Sequence, residues 1–448
     1  VWLVRVVAPE ASGSGIPHLE GVLRRLRQMR WRRVLPVKFI GGLLALGSGM
    51  ALGREGPTVQ MGGATGFALA GALKMTTQER LIMMSAGAGA GLAAAFNAPL
   101  SGVIFVLEEM QRDFRAGVFG SAFIAAAVAN LLARFASGQQ PVFAVPTYAA
   151  PDPASMPLFI ALGVACGLLG ILFNRALIGA LDGFARLSFR KVLLATAMVG
   201  GVAGLAAWIA PNAVGGGHDL AEQAVDGQIA VALIVPLFMF RFGLIMASYG
   251  SGAPGGIFAP LLGLGALLGL GIGRLSAGVA PGLVDQPAVF AVVGMAAFFT
   301  AIVRAPLTGI VLILEMTGNY ELMLPLLVAC FSAYAIAEAF RNLPIYEALL
   351  KRDLEKRGVE EPRGTIVIDI EVRPYSPFSG KLVRDLGLPP GCLIVRCRDG
   401  EHEWVPTADT RLMAHVRLSV VIPIHAEGAL QIVQQGCEAN HEQGAPAN

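Results

Sequence analysis

The stretch "NAPLSGVIFVLEEM" (97–110) occurs a second time, as "RAPLTGIVLILEM" (304–316). The shared frame is Ala-Pro-Leu, a hydroxyl residue, Gly, then an apolar run closing on Leu-Glu. Pro99 stands with Pro306, Gly102 with Gly309 and Glu108 with Glu315 at one constant offset, and the match extends upstream to Gly87 and Gly294. A weaker pair likens "GREGPTVQMGG" (53–63) to "GGIFAPLLGLG" (255–265), a shift of one residue bringing Pro57 opposite Pro260. Halves of a membrane protein related in this way predict a repeat architecture with its site at the repeat interface.

Composition supplies the membrane. The chain has 448 residues, of which 55% are hydrophobic and 15% charged, against about 25% charged in soluble domains. Mean hydropathy is +0.63. These values predict a polytopic membrane protein. Candidate segments are 34–52, 58–73, 80–96, 99–110, 117–137, 156–179, 191–210, 227–247, 257–281, 286–303, 306–316 and 321–340. Several fall short of the ~20 residues a spanning helix needs. Short, Gly- or Pro-cut segments at membrane depth survive only when buried in protein or lining a cavity, which points to a transporter or channel. The net charge of +3 gives no reason to expect nucleic acid. Cys166, Cys330, Cys392, Cys397 and Cys437 lack CxxC or His-paired spacing, so no zinc site and no disulfide framework is read from them. No metal or other cofactor is expected. The basic runs "RRLRQMRWRR" (24–33) and "KRDLEKR" (351–357) belong on the cytoplasmic side by the positive-inside rule.

Three glycine-rich motifs carry the chemistry: "GSGIP" (13–17), "GREGP" (53–57) and "GSGAPGGIFAP" (250–260). Each places Pro near the start of an apolar segment, where helix N-termini tolerate it. The first N–H groups of a helix have no internal partner, and the dipole is positive there. Several such ends aimed at one spot bind an anion without a full cation, and partial charges let the anion leave again.

In these motifs, together with "GLAAAFNAPLSGVIFVLEEM", the chain resembles the CLC family of chloride channels and proton-coupled chloride transporters, specifically its bacterial exchangers. The resemblance covers roughly 1–350. It implies an all-α polytopic fold of two inverted repeats with many short, tilted helices, assembled as a homodimer in the bacterial cytoplasmic membrane. The family carries further helices before "GSGIP", so N-terminal helices are expected to be missing here. By position, Ser14, Gly15 and Ile16 match the first chloride-binding loop, and the backbone amides of Ile257 and Phe258 match the second. Tyr346 matches the tyrosine whose hydroxyl completes the chloride site. Glu55 matches the gating glutamate, whose carboxylate competes with chloride and leaves when protonated. Glu109 matches the inner glutamate that relays protons from the cytoplasm, a carboxylate that family channels generally lack. Glu20 and Lys38 match a buried pair near that route, and Glu108 is either a water-facing helix end or a further support to it. His18 is read as a surface substitution, and Arg54 as securing its loop. Serine at position 14 resembles the chloride branch rather than the nitrate branch, which carries proline there.

After residue 345 the composition changes. Residues 351–363 read as a linker. Residues 364–426 alternate apolar and polar positions as a small α+β domain of strands with a short helix at 380–386. Residues 427–448 read as a tail, a short helix followed by disorder. The domain resembles the TrkA-C (RCK C-terminal) module, which implies a cytoplasmic position and either an inert cap or a sensor of a small-molecule ligand. The function implied by the whole is H+/Cl- exchange, with chloride, protons and the bilayer as partners. A passive chloride channel is the alternative, and Glu109 argues against it. An intramembrane hydrolase lacks a His/Asp partner for its serine at a recognisable spacing, so no enzyme is expected.

Overall fold

The computed structural model describes residues 1–112, 116–138, 143, 148–359, 365–400, 402–423 and 428–438. It divides into two units, Val1–Asp353 and Leu354–Asn448. In chain order the helices are α1 (Trp2–Val6), α2 (Ile16–Leu23), α3 (Trp31–Gly47), α4 (Glu55–Ala72), α5 (Thr77–Phe96), α6 (Pro99–Phe105), α7 (Ala116–Ser137), α8 (Met156–Ala185), α9 (Phe189–Ile209), α10 (His218–Val225), α11 (Val231–Gly250), α12 (Phe258–Val279), α13 (Val289–Val303), α14 (Pro306–Thr317), α15 (Met323–Ala339), α16 (Ile345–Lys356) and α17 (Ala429–Cys437). Among the described residues, 6 helical stretches are long and apolar enough to cross a membrane. The chain is a multi-pass membrane protein.

The sequence repeat is a repeat of structure. Helix α5 ends at Phe96 on a left-handed Asn97, and α13 ends at Val303 on a left-handed Arg304. In both halves Ala-Pro then starts a short helix, α6 and α14. Upstream, α5 packs on α4 and α13 on α12 through facing glycines. A Cβ at Gly87 would lie 2.9 Å from the Gly62 carbonyl carbon, and one at Gly294 would lie 2.9 Å from Gly269 Cα. Backbones this close exclude any side chain, the reason small residues line such seams. Helix α13 is buried along its whole length, so its continuous apolar run faces protein rather than lipid.

The two halves lock through their repeated glutamates. Glu108 accepts from the Leu307 amide at 3.1 Å and from the Thr308 amide and hydroxyl at 2.7 Å each, at the start of α14. Glu315 accepts from the Leu100 amide at 3.0 Å, the Ser101 amide at 2.8 Å and the Ser101 hydroxyl at 2.6 Å, at the start of α6. Each carboxylate satisfies orphan N–H groups and faces a positive helix end in the other repeat. Glu108→Ala and Glu315→Ala are each expected to cost about 2 kcal/mol, read as a lower thermal midpoint in detergent, with Glu108→Ala leaving proton coupling in place.

The second unit is a four-stranded antiparallel sheet in the order β1-β4-β2-β3, with β1 Thr365–Glu371, β2 Leu393–Asp399, β3 His402–Trp404 and β4 Arg417–Pro423. Val372, Phe378, Ile394, Leu418, Val420 and Val433 form its core. Helix α17 joins it through bonds of 2.9 Å from the Arg373 amide to the Cys437 carbonyl and from the Phe378 amide to the Gly436 carbonyl. Burial pushes the Cys397 and Cys437 thiols up to about 11, so neither forms a reactive thiolate near neutral pH. The helix expected at 380–386 is only a 3-10 turn, Val383–Asp385. Left-handed Gly380 and Gly387 bracket it, leaving too few residues to repay helix nucleation. The disorder expected at the end of the tail falls on 439–448, outside the described residues.

Candidate functional site

Three loops meet where the sequence motifs predict helix starts. Gly13 bridges Pro254, and Gly53 bridges Gly256. The Gly53 and Gly256 amides each donate to the other's carbonyl at 2.7 Å, and the Gly255 amide donates to the Gly13 carbonyl at 2.9 Å. These bonds tie together the N-termini of α2, α4 and α12. A Cβ on Gly56 would lie 2.8 Å from Ser14 Cα and 3.0 Å from Gly256 Cα, so the junction closes only around glycine. Gly15 is left-handed (φ +83°) and a Cβ there would lie 2.8 Å from Gln60 Cβ. Both features reserve the position for glycine.

Ser14 is fully buried. The Ile16 amide approaches its Oγ at 3.4 Å. The Tyr249 hydroxyl, at the end of α11, also lies 3.4 Å from Ser14 Oγ and accepts from the Ser14 amide at 3.4 Å. Tyr346, in the first turn of α16, is fully buried, and its hydroxyl has no hydrogen-bond partner among the described residues. A cavity of about 120 Å³ opens before this loop, lined in part by Gly13, Gly15, Arg27, Tyr249 and Arg352.

Glu55 opens α4 and is 0% exposed. Neither carboxylate oxygen has a hydrogen-bond partner among the described residues. The side chain folds back over Gly53, whose Cβ position its Oε2 would fill. His218 Nε2 lies 3.5 Å from Oε1. Arg54 turns the other way and donates to the Ala95 carbonyl at 3.0 Å, which secures the loop.

Glu109 lies within a π-helical stretch, Val106–Gln111, that continues α6. The apolar segment 99–110 is therefore two elements, and the wider turn marks the carboxylate's position, as such bulges often do at functional sites. Glu109 is buried and its Oε1 has no partner among the described residues. It lies within electrostatic reach of Glu20, Arg112 and Glu347, and Arg112 pairs with Glu347 at 2.8 Å. Glu347 follows Tyr346 in α16, so this cluster adjoins the helix that carries the tyrosine.

One expectation is corrected, that for His18. Glu20 and Lys38 are both buried but form no ion pair. The Lys38 ammonium donates instead to the carbonyls of Gly13 at 2.6 Å and Ala11 at 3.1 Å, fixing the Ser14 loop from behind. The Glu20 oxygens have no hydrogen-bond partner among the described residues. His18 is buried rather than on the surface. Its ring bridges Gln60 Nε2 and the Gln28 carbonyl, each at 3.2 Å, because it lies on the face of α2 turned to α4. Glu108 spends its oxygens on α14, as above. No group of three or more His, Cys, Asp or Glu side chains able to hold a metal occurs among the described residues.

Sequence reasoning missed Tyr249 and His218. Each follows or precedes a glycine cluster, a faint signal that loop closure alone makes legible.

The chain is similar to known proteins over most of its length. The family described as Voltage gated chloride channel matches residues 1–338, and the TrkA-C domain matches 367–431. The chain is 44% identical over 360 residues to the H(+)/Cl(-) exchange transporter ClcA of Vibrio parahaemolyticus, covering 79% of this chain and 77% of that one. It is 44% identical over 384 residues to the ClcA of Vibrio cholerae, covering 84% and 80%. Among solved structures, a slow cyanobacterial Cl-/H+ antiporter is similar with a TM-score of 0.77 and 39% identity, over 80% of this chain and 84% of that one. A family match over most of the chain, with relatives this similar along most of their length, means that the chain belongs to the voltage gated chloride channel (CLC) family.

Proposed function

We propose that this protein is a proton-coupled chloride antiporter. The observation that carries the reading is Glu55: a fully buried carboxylate without a hydrogen-bond partner among the described residues, at the first turn of α4, where three helix starts are tied together. An ionised carboxylate at membrane depth costs about 2.5–3.5 kcal/mol on insertion scales. Positive helix ends offset that cost while it is charged. The same ends attract chloride, so carboxylate and chloride compete for one place.

Chloride is held by Ser14 Oγ, by the amides of the Gly15–Ile16 and Ile257–Phe258 turns, and by the Tyr346 hydroxyl. Protonation removes the charge of Glu55 and its claim on the anion site. Glu109 takes protons from the inner side and exchanges them with Glu55, with Glu20 nearby and Lys38 holding the chloride loop. Exchange is favoured over a passive channel by the buried Glu109 and by the similar proteins, which are named as exchangers and an antiporter.

The Arg27–Asp353 ion pair joins the two basic runs, which supports their lying on one face, the cytoplasmic one. The reading continues with the bacterial cytoplasmic membrane, a homodimer with one pathway per subunit, a transport domain over 1–350, and a cytoplasmic TrkA-C-like domain over 364–426 that takes a small ligand or serves as a cap. In proteoliposomes of the full-length protein, an imposed chloride gradient is expected to drive protons in the opposite direction to chloride. Chloride movement with no accompanying proton flux would leave the channel.

A further inference from the structure

The structure gives Glu55 a neighbour that the scheme above leaves without a task. His218 is the first residue of α10, after a left-handed Gly217. Its Nε2 is 3.5 Å from Glu55 Oε1, and this is the one ion-pair contact of Glu55 among the described residues. The two side chains differ in access: His218 is 30% exposed and Glu55 0%. The ring therefore lies between a sealed carboxylate and solvent.

The imidazole is held in place. Phe96 packs edge-on to it at 6.5 Å between centroids, and Phe143 lies at 5.9 Å, tilted by 41°. Behind it, the buried Arg241 donates to the Gly215 carbonyl at 2.8 Å and the Ala213 carbonyl at 3.3 Å, clamping the glycine loop that leads into α10. A Cβ on Gly217 would lie 3.1 Å from Arg241 Cζ, so this guanidinium lies directly behind the turn.

Among the described residues, the charged groups around the ring are few. Glu55 faces it from α4, Arg241 backs its loop from α11, and Asp219 and Glu222 follow it on α10 itself. Helix α12 contributes one charged residue, Arg274, which is bonded to the Gly227 carbonyl at 2.7 Å, and α13 contributes none. Arg54, beside Glu55, points to the Ala95 carbonyl.

We infer that His218 is the proton-exchange residue between Glu55 and the outer solution. The inference rests on the antiporter reading. An imidazolium passes its Nε2 proton to Glu55 Oε1, leaving neutral imidazole and neutral carboxylic acid. The imidazole then takes a proton from outer water on its exposed edge. The reverse sequence releases protons outward, and no charge or atom is left over. Imidazole changes protonation between about pH 5 and 8, the property that suits it to shuttle protons. The cavity before Ser14, with Arg27 and Arg352, lies on the side of the basic runs. His218 is not among its lining residues, as an outer proton port requires.

The test is chloride-driven proton flux in proteoliposomes, with inner pH fixed and outer pH stepped from 5 to 8, for wild type and His218→Gln. Glutamine keeps a polar head but cannot titrate. The variant is expected to move protons about tenfold more slowly at outer pH 6 and to lose the dependence on outer pH across that range, with the chloride-to-proton ratio unchanged. A Glu55→Gln/His218→Gln double variant is expected to pass chloride as Glu55→Gln does, because a carboxamide needs no proton donor. Wild-type rates and pH profile in His218→Gln overturn the inference alone, as does loss of chloride flow in the double variant. Absence of proton flux in wild type overturns the antiporter reading and the inference with it.

Discussion

Glu55→Gln is expected to reduce chloride-driven proton flux to background, a fall on the order of 100-fold or more, while chloride continues to cross. The substitution keeps the size of the side chain and removes its titration. A fully buried carboxylate with no hydrogen-bond partner among the described residues has two stable situations: charged against the helix ends, or protonated and free to leave them. Glutamine has only the neutral one. Chloride then meets no competing charge at the junction of α2, α4 and α12, and its flux loses its dependence on pH. Parallel chloride- and pH-electrode recordings on proteoliposomes read both quantities at once.

Glu109→Gln is expected to abolish proton flux by a similar factor but to leave a different signature. Glu55 remains able to titrate from the outer side, so chloride flux keeps its pH dependence. The distinction follows from position. Glu109 lies in the π-helical turn, with Glu20, Arg112 and Glu347 around it, whereas Glu55 opens α4 at the junction of the helix starts. Loss of proton flux together with loss of pH-dependent chloride flux would mean that the two glutamates act as one group, against the two-station route.

Much of this was legible before any coordinates. The glycine motifs fix helix starts by local chemistry, so Ser14, Glu55 and Phe258 fall at the expected turns. The repeated Ala-Pro-Leu frame gives the two short helices α6 and α14. What it does not reveal is the partner of each closing glutamate. Glu108 meets Thr308, and Glu315 meets Ser101, across some two hundred residues, and only the packing of one repeat against the other brings them together. Tyr249 was invisible for the same reason, since its hydroxyl reaches Ser14 from the far end of α11. His218 follows a run of glycines as a single polar residue, and nothing in that pattern points to Glu55. Glu20 and Lys38 are both buried, and only the folded Ser14 loop shows that its backbone carbonyls take the ammonium. His18 was misplaced because a short helix of eight residues, Ile16–Leu23, has nearly all of its faces buried. In the second unit, alternation located the strands, whereas the 380–386 helix fell to two left-handed glycines.

The central claim is that the helix starts build an anion pathway beside Ser14 and Tyr346, one position of which the Glu55 carboxylate fills and chloride takes when it leaves. Anomalous diffraction from bromide-soaked crystals tests it most directly. The account predicts a bromide peak bounded by Ser14 Oγ, the Ile257 and Phe258 amides and the Tyr346 hydroxyl in wild type, with an additional peak where the Glu55 carboxylate stood in Glu55→Gln. Absence of bromide beside Ser14 and Tyr346 in both crystals, or absence of the additional peak in Glu55→Gln, would contradict it.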